Sequence, residues 1–285
     1  MNIDLELIEE FKKWLDALGL SKDSVTSYAS TVRSFCFLKP VAEVNDKKFF
    51  AALREILKER NSKLATISRH IFALKKFLVF LSEEKQLPII NIFSIKCRKP
   101  PKPSPIYLEK EEIELVRKLP LRSRFDLRNR ALFEFLLLTG CRISECLNIN
   151  WQEINFTANE VTITGKGNKS RVVFLGSSTE WIKRYLAKRN STASALFLNQ
   201  YGGRLQRQAA TVLIRNLGKK ANLTKGIYPH MLRTTFGTWM IRAGVDPRTL
   251  QEMMGHEDIE TTLRHYVGVS YDHMRLVHSQ FAKIL

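Results

Sequence analysis

Over the first hundred residues the apolar positions return at helical spacing. Leu7, Phe11, Trp14 and Leu18 mark one stripe, which stops near Gly19. Ser21 to Asp23 offer caps for a second helix through Tyr28, Val32 and Phe35. A third helix is predicted over about Lys47 to Glu59. A fourth carries Ile67, Ile71, Leu74, Phe77, Leu78 and Leu81 on one face, with Arg69, Lys75 and Lys76 elsewhere. No two-residue alternation of the strand type interrupts them.

The pattern then breaks. Residues Lys96 to Pro105 hold four prolines and four cations, so the segment is expected to run extended as a basic linker. Beyond about Tyr107 the pattern is mixed. A strong helix is predicted from Arg128 through Leu138, ending at Thr139-Gly140, and another begins near Arg142. Glu160 to Thr164 and Arg171 to Leu175 are β-type runs around Gly165-Lys166-Gly167-Asn168-Lys169, a hairpin signature. Ala195 to Leu198 reads as a short third strand before the turn at Gly202-Gly203. Further helices are expected over Gln206 to Lys220, His230 to Ala243, Pro247 to Met254 and about Ile259 to His265. Tyr271 to Leu285 has an amphipathic stripe of Met274, Val277, Phe281 and Ile284.

Composition changes this picture in one respect. Hydrophobic and charged fractions of 44% and 26% are ordinary, but 46 Lys and Arg against 28 Asp and Glu leave a net charge of +18. Such an excess favours a polyanionic partner, because each neutralised phosphate releases a counterion. Cys36, Cys97, Cys141 and Cys146 show neither CxxC pairing nor zinc-finger spacing, and read as buried thiols of a reducing compartment. Asp4, Glu6, Glu9 and Glu10 have the wrong sign for a secretory signal, and the apolar stretches are too short to span a bilayer. A cytoplasmic, nucleic-acid-facing protein with no membrane segment is expected.

Phosphoryl transfer without a metal needs a nucleophile, fixed cations on the non-bridging oxygens and an acid for the leaving oxygen. Arginine is the preferred clamp, since its planar fork matches two phosphate oxygens. Arg142, Lys166, His230, Arg233, His256 and Tyr266 are the candidates, in chain order. Taken singly, each is an ordinary capping, surface or packing residue. His230 and Arg233, however, share one helical face after Tyr228-Pro229, and Glu145 stands three residues beyond Arg142.

In order and spacing, four runs carry a resemblance. Thr139 to Glu145 (TGCRISE), the hairpin from Gly165 to Arg171 (GKGNKSR), Pro229 to Phe236 (PHMLRTTF) and Met254 to Tyr266 (MGHEDIETTLRHY) resemble the tyrosine recombinase (phage integrase) family, most of all its short Xer-type members. The likeness is weak over the helical first part and strong from about 107 to 270. It implies a mainly α (α+β) fold. Residues 1–98 would be a four-helix, SAM-like core-binding domain and 99–106 a Pro/Lys-rich linker. Residues 107–285 would be a mixed helical catalytic domain with a small antiparallel sheet.

The resemblance also implies roles. Arg142 and Arg233 would clamp the scissile phosphate, and Lys166, or Lys169 in another register, would protonate the leaving 5′-hydroxyl. His230 would handle the tyrosine proton, His256 would bond a non-bridging oxygen, and Glu145 would brace the first arginine. Tyr266 would be the nucleophile, forming a 3′-phosphotyrosine with neither metal nor nucleotide cofactor. Family members of this type usually place the tyrosine nine positions after the last histidine; here Tyr266 stands ten after His256, and His265 takes the ninth. Tyr271 is its rival. The implied partners are a double-stranded DNA recombination site and further copies of the chain, as a tetramer on two sites. The Tyr271 to Leu285 helix would dock on a neighbour or pack on its own domain, and an accessory protein is a further implied partner. A type IB topoisomerase-like enzyme and a non-catalytic DNA-binding regulator are the alternatives.

Overall fold

The computed structural model describes residues 1–95, 104–165 and 170–255. The chain divides into two compact units, Met1–Lys102 and Pro103–Leu285.

The first unit is helical. It comprises α1 (Leu5–Ala17), α2 (Lys22–Cys36), the single turn α3 (Val41–Val44), α4 (Lys47–Glu59) and α5 (Leu64–Lys85). Side-chain caps set three starts: Asp4 accepts from the Leu7 amide, Ser21 from Ser24 and Asp46 from Lys48. The predicted apolar faces meet in one core, where Phe11 lies edge-on to Phe77 at 5.1 Å and 5.5 Å from Phe80. Each such buried ring contributes about 2–3 kcal/mol of transfer free energy. The short α3 was not anticipated; it follows Pro40, which has no amide proton but suits a helix entry.

The second unit is built round α7 (Arg124–Thr139), whose residues Ala131–Leu137 are all buried. A reciprocal cap between Ser123 and Asp126 starts it, and Gly140 at φ +61° ends it. No side chain fits at Gly140, since a Cβ there would lie 2.3 Å from the Phe236 ring. Around α7 stand α6 (Lys110–Arg117), α8 (Ile143–Asn148), α9 (Ser178–Ala187), α10 (Arg207–Lys220), α11 (Pro229–Arg242) and α12 (Pro247–Met254). Helices α6 and α9 are additions to the sequence reading.

The sheet is antiparallel, with order β1 (Ile154–Asn155), β2 (Glu160–Thr164), β3 (Ser170–Phe174). Val161 pairs with Val173 and Ile163 with Arg171, which places these four on the inward face. The expected third strand at Ala195–Leu198 is corrected. This run makes only isolated bridges, Asn150 to Ala195 and Leu198 to Arg204. Its apolar residues enter the core instead, with Phe197 stacked on Tyr185 at 6.1 Å. The sheet's third member is β1. The helices expected over Ile259–His265 and Tyr271–Leu285 lie outside the described residues. Among the described residues no helix is long and apolar enough to cross a membrane.

Candidate active site

Three of the sequence candidates come together in the second unit. Arg142 precedes α8, where the backbone leaves the Gly140 turn, and Glu145 closes back on it. The Arg142 amide donates to Glu145 Oε2 at 2.8 Å and its Nη1 to Oε1 at 2.8 Å. His230 and Arg233 stand one turn apart near the start of α11, which Pro229 opens. Arg233 is buried, and donates through Nη1 to Gly140 O and through Nη2 to Met254 O, both at 2.7 Å.

The electrostatics are lopsided. Burial, then the neighbouring Arg142 and Arg171, brings the Arg233 guanidinium down to about 10, so it stays charged at neutral pH. Burial works to raise the Glu145 carboxyl, but hydrogen bonds from Arg171 and Arg142 outweigh it and hold it below the ordinary carboxylate range. His230 keeps an exposed edge. The protein mass about its ring lowers its pKa first, and the charges of Arg233 and Arg142 lower it further. Among the described residues, two arginines and a neutral imidazole therefore bring an excess of positive charge together, which suits an anionic group.

Arg171 was not singled out from sequence. It donates to Glu145 through Nη2 at 2.8 Å and Nη1 at 3.3 Å, and through Nε to Met253 O at 3.1 Å. Its signal was present in the two-residue alternation of β3, which sets Arg171 beside Val173 on the inward face. Lys166, the fallback Lys169, His256, Tyr266 and its rival Tyr271 lie outside the described residues. Cys36, Cys141 and Cys146 are free and buried. Among the described residues no three His, Cys, Asp or Glu side chains gather as a metal-binding group.

Residues 107–273 match the Phage integrase family, a span that takes in every candidate named above. The chain belongs to that family. Similar relatives include tyrosine recombinase XerD of Staphylococcus saprophyticus, 30% identical over 96% of this chain and 98% of its own. XerD of Halalkalibacterium halodurans is 31% identical over 92% of each. XerC of Oceanobacillus iheyensis is 32% identical over 84% of this chain and 81% of its own.

Solved structures of more distant sequence share the fold. The XerH site-specific recombinase bound to its difH substrate before cleavage has TM-score 0.68 and 21% identity, over 96% of this chain and 93% of that one. The Tn1549 transposon integrase with circular-intermediate DNA has TM-score 0.73 and 18% identity, over 96% and 99%. The mainly helical architecture with its small antiparallel sheet is thus that of the tyrosine recombinases of the phage integrase family.

Proposed function

We propose that this chain is a site-specific DNA recombinase that cleaves and rejoins strands through a covalent 3′-phosphotyrosine on Tyr266. The observation that carries the reading is the charge imbalance where Arg142, Arg233 and His230 meet. Among the described residues three arginines, including Arg171, lie about a single buried carboxylate. Membership of the phage integrase family and the likeness to XerD and XerC along most of the chain support it.

In this reading the forks of Arg142 and Arg233 take the non-bridging oxygens and stabilise the charge that builds on them. His230, neutral at pH 7, accepts the phenolic proton as Tyr266 oxygen attacks phosphorus. Lys166 gives a proton to the departing 5′-oxygen, and His256 bonds a non-bridging oxygen. The phosphate ester is exchanged for another, so the bond's energy is kept. A 5′-hydroxyl of a second duplex reverses the step and joins the strands.

Residues 1–98 serve as the core-binding domain and residues 107–285 as the catalytic one, joined by the 99–106 linker. The XerH and Tn1549 integrase complexes with DNA support a duplex partner. Two sites held by a tetramer, with Tyr271–Leu285 docked on a neighbour and the assembly working in the cytoplasm at the nucleoid, complete the proposal. An accessory protein that gates exchange fits the same scheme.

The test uses nicked suicide duplexes cut from DNA flanking the gene and from genomic fragments, incubated with EDTA and resolved on denaturing gels. A protein–DNA adduct is expected, and Tyr266→Phe should abolish it. Loss through Tyr271→Phe instead would move the nucleophile. Site-independent relaxation of supercoils would favour the topoisomerase alternative, and binding without any adduct the regulator.

A further inference from the structure

The last three carbonyls around the end of α12 each receive a different arginine. Arg171 Nε donates to Met253 O at 3.1 Å, Arg233 Nη2 to Met254 O at 2.7 Å, and Arg142 Nη2 to Gly255 O at 3.0 Å. A helix ordinarily leaves its final carbonyls without intrahelical partners, and its dipole makes that end attractive to cations. Three guanidiniums, from β3, α11 and the start of α8, converge on it here. In the sequence Gly255 is followed by His256 and, ten positions later, by Tyr266.

The three arginines are not equivalent. Arg142 is 42% exposed, while Arg171 is 14% exposed. Arg171 spends its fork on both oxygens of Glu145 and its Nε on Met253 O, so every nitrogen of its guanidinium already has a protein partner. The turn at Gly255 is also fitted to it. Gly255 has φ +63°, and a Cβ there would lie 2.6 Å from Arg171 Nη1 and 2.9 Å from Cζ. The positive φ favours glycine, and any larger residue would have to displace the Arg171 guanidinium from its present place.

We infer that Arg171 is a positioning residue, tying the end of α12 to the Glu145 carboxylate so that the segment bearing His256 and Tyr266 leaves from a fixed point. This rests on the recombinase reading above. When Arg142 and Arg233 turn their free N–H groups to a phosphate, Arg171 is the guanidinium whose hold on α12 need not change. A lysine in its place keeps a positive charge beside Glu145. Its single ammonium, however, cannot fork across the carboxylate and also reach Met253 O in the same geometry.

The test compares the full-length protein with Arg171→Lys. Hydrogen–deuterium exchange at the amides of residues 250–255 should quicken by about tenfold, while α10 exchanges as before. On a suicide duplex, affinity should stay within about threefold and single-turnover cleavage should fall by about 10–100-fold, as expected when a reacting group is misplaced by about 1 Å. Unchanged exchange at the end of α12, wild-type cleavage, or loosening that extends equally to α10 each overturns the inference. If the wild-type protein forms no adduct, the recombinase reading fails. The exchange measurement then still decides whether Arg171 holds α12.

Discussion

Among its described residues the second unit buries two carboxylates, each between arginines, and the two clusters are built to opposite ends. Glu134 on α7 receives Arg130 Nε at 2.8 Å, and Arg117 Nη2 and Nε at 2.8 and 3.0 Å. Arg117 also pairs with Glu114. Two arginines thus face two glutamates, and the remaining donors go inward. Arg130 Nη1 reaches Arg117 O, and its guanidinium lies 4.3 Å from the Trp181 ring centroid. The bonds to Glu134 drive the Arg117 pKa upward, while burial outweighs the same carboxylate at Arg130 and lowers it, so the match lies in the bonds and the equal charge count. Among the described residues Glu145 is the one carboxylate of its cluster: it bonds Arg142 and Arg171 and acts on Arg233 through its field alone. Arg233, with carbonyls for its partners, is pushed down to about 10 by burial and by like charge. A closed cluster holds helices together, whereas one left short of negative charge is a socket for an anion.

Breaking the open cluster should have the larger effect. Arg233→Lys keeps the charge but loses the fork to Gly140 O and Met254 O, as well as the two-point phosphate contact proposed above. Single-turnover cleavage of a suicide duplex should fall by about 10²–10³-fold, the usual loss when one preorganised donor is removed. A variant that cleaves within threefold of wild type would mean that Arg233 is only a packing residue. The closed cluster should answer in stability instead. Glu134→Ala leaves Arg130 buried without its partner, at a cost of about 3–5 kcal/mol. Urea unfolding followed in the full chain should show the earlier midpoint, and protein that remains folded should cleave at the wild-type rate. An unchanged midpoint would remove the contrast between the clusters.

How far the sequence reached follows from the range of the interactions. The long helices were legible because their apolar positions repeat within one or two turns, and the limits of α12 stand in Asp246-Pro247 and Gly255. The hairpin strands β2 and β3 were legible from alternation. The run Ala195–Leu198 was misread because four apolar residues suit a strand or a buried coil equally, and its burial beside Tyr185 and Phe135 decides the matter. At the site, His230 and Arg233 are neighbours on one helix turn and Arg142 and Glu145 on another, so local spacing found them. Arg171 meets Glu145 across 26 positions and Met253 across 82, which no local pattern records. Lys166, His256 and Tyr266 rest on the resemblance and remain part of the proposal.

The finest test of the open cluster is His230. Its pKa lies below the ordinary value near 6.5, first through burial and then through Arg233 and Arg142. Because the folded form binds its proton more weakly than the unfolded one, its contribution to stability is complete above about pH 6.5 and declines as the pH falls through the lowered value. His70 in the first unit offers an internal control. It too is lowered, by burial and by Arg69, and its Nδ1 bonds Thr31 at 3.0 Å. An NMR titration of the ring protons should find both histidines below 6.5 in the free protein. Arg233→Gln should raise the His230 pKa and leave that of His70 where it was. A scissile phosphate seated between the two arginines should raise His230 in the same direction, by cancelling the field that the substitution removes. If His230 titrates at or above 6.5 in the free protein, the excess positive charge is already neutralised from within. The distinction between a closed cluster and an open one then disappears.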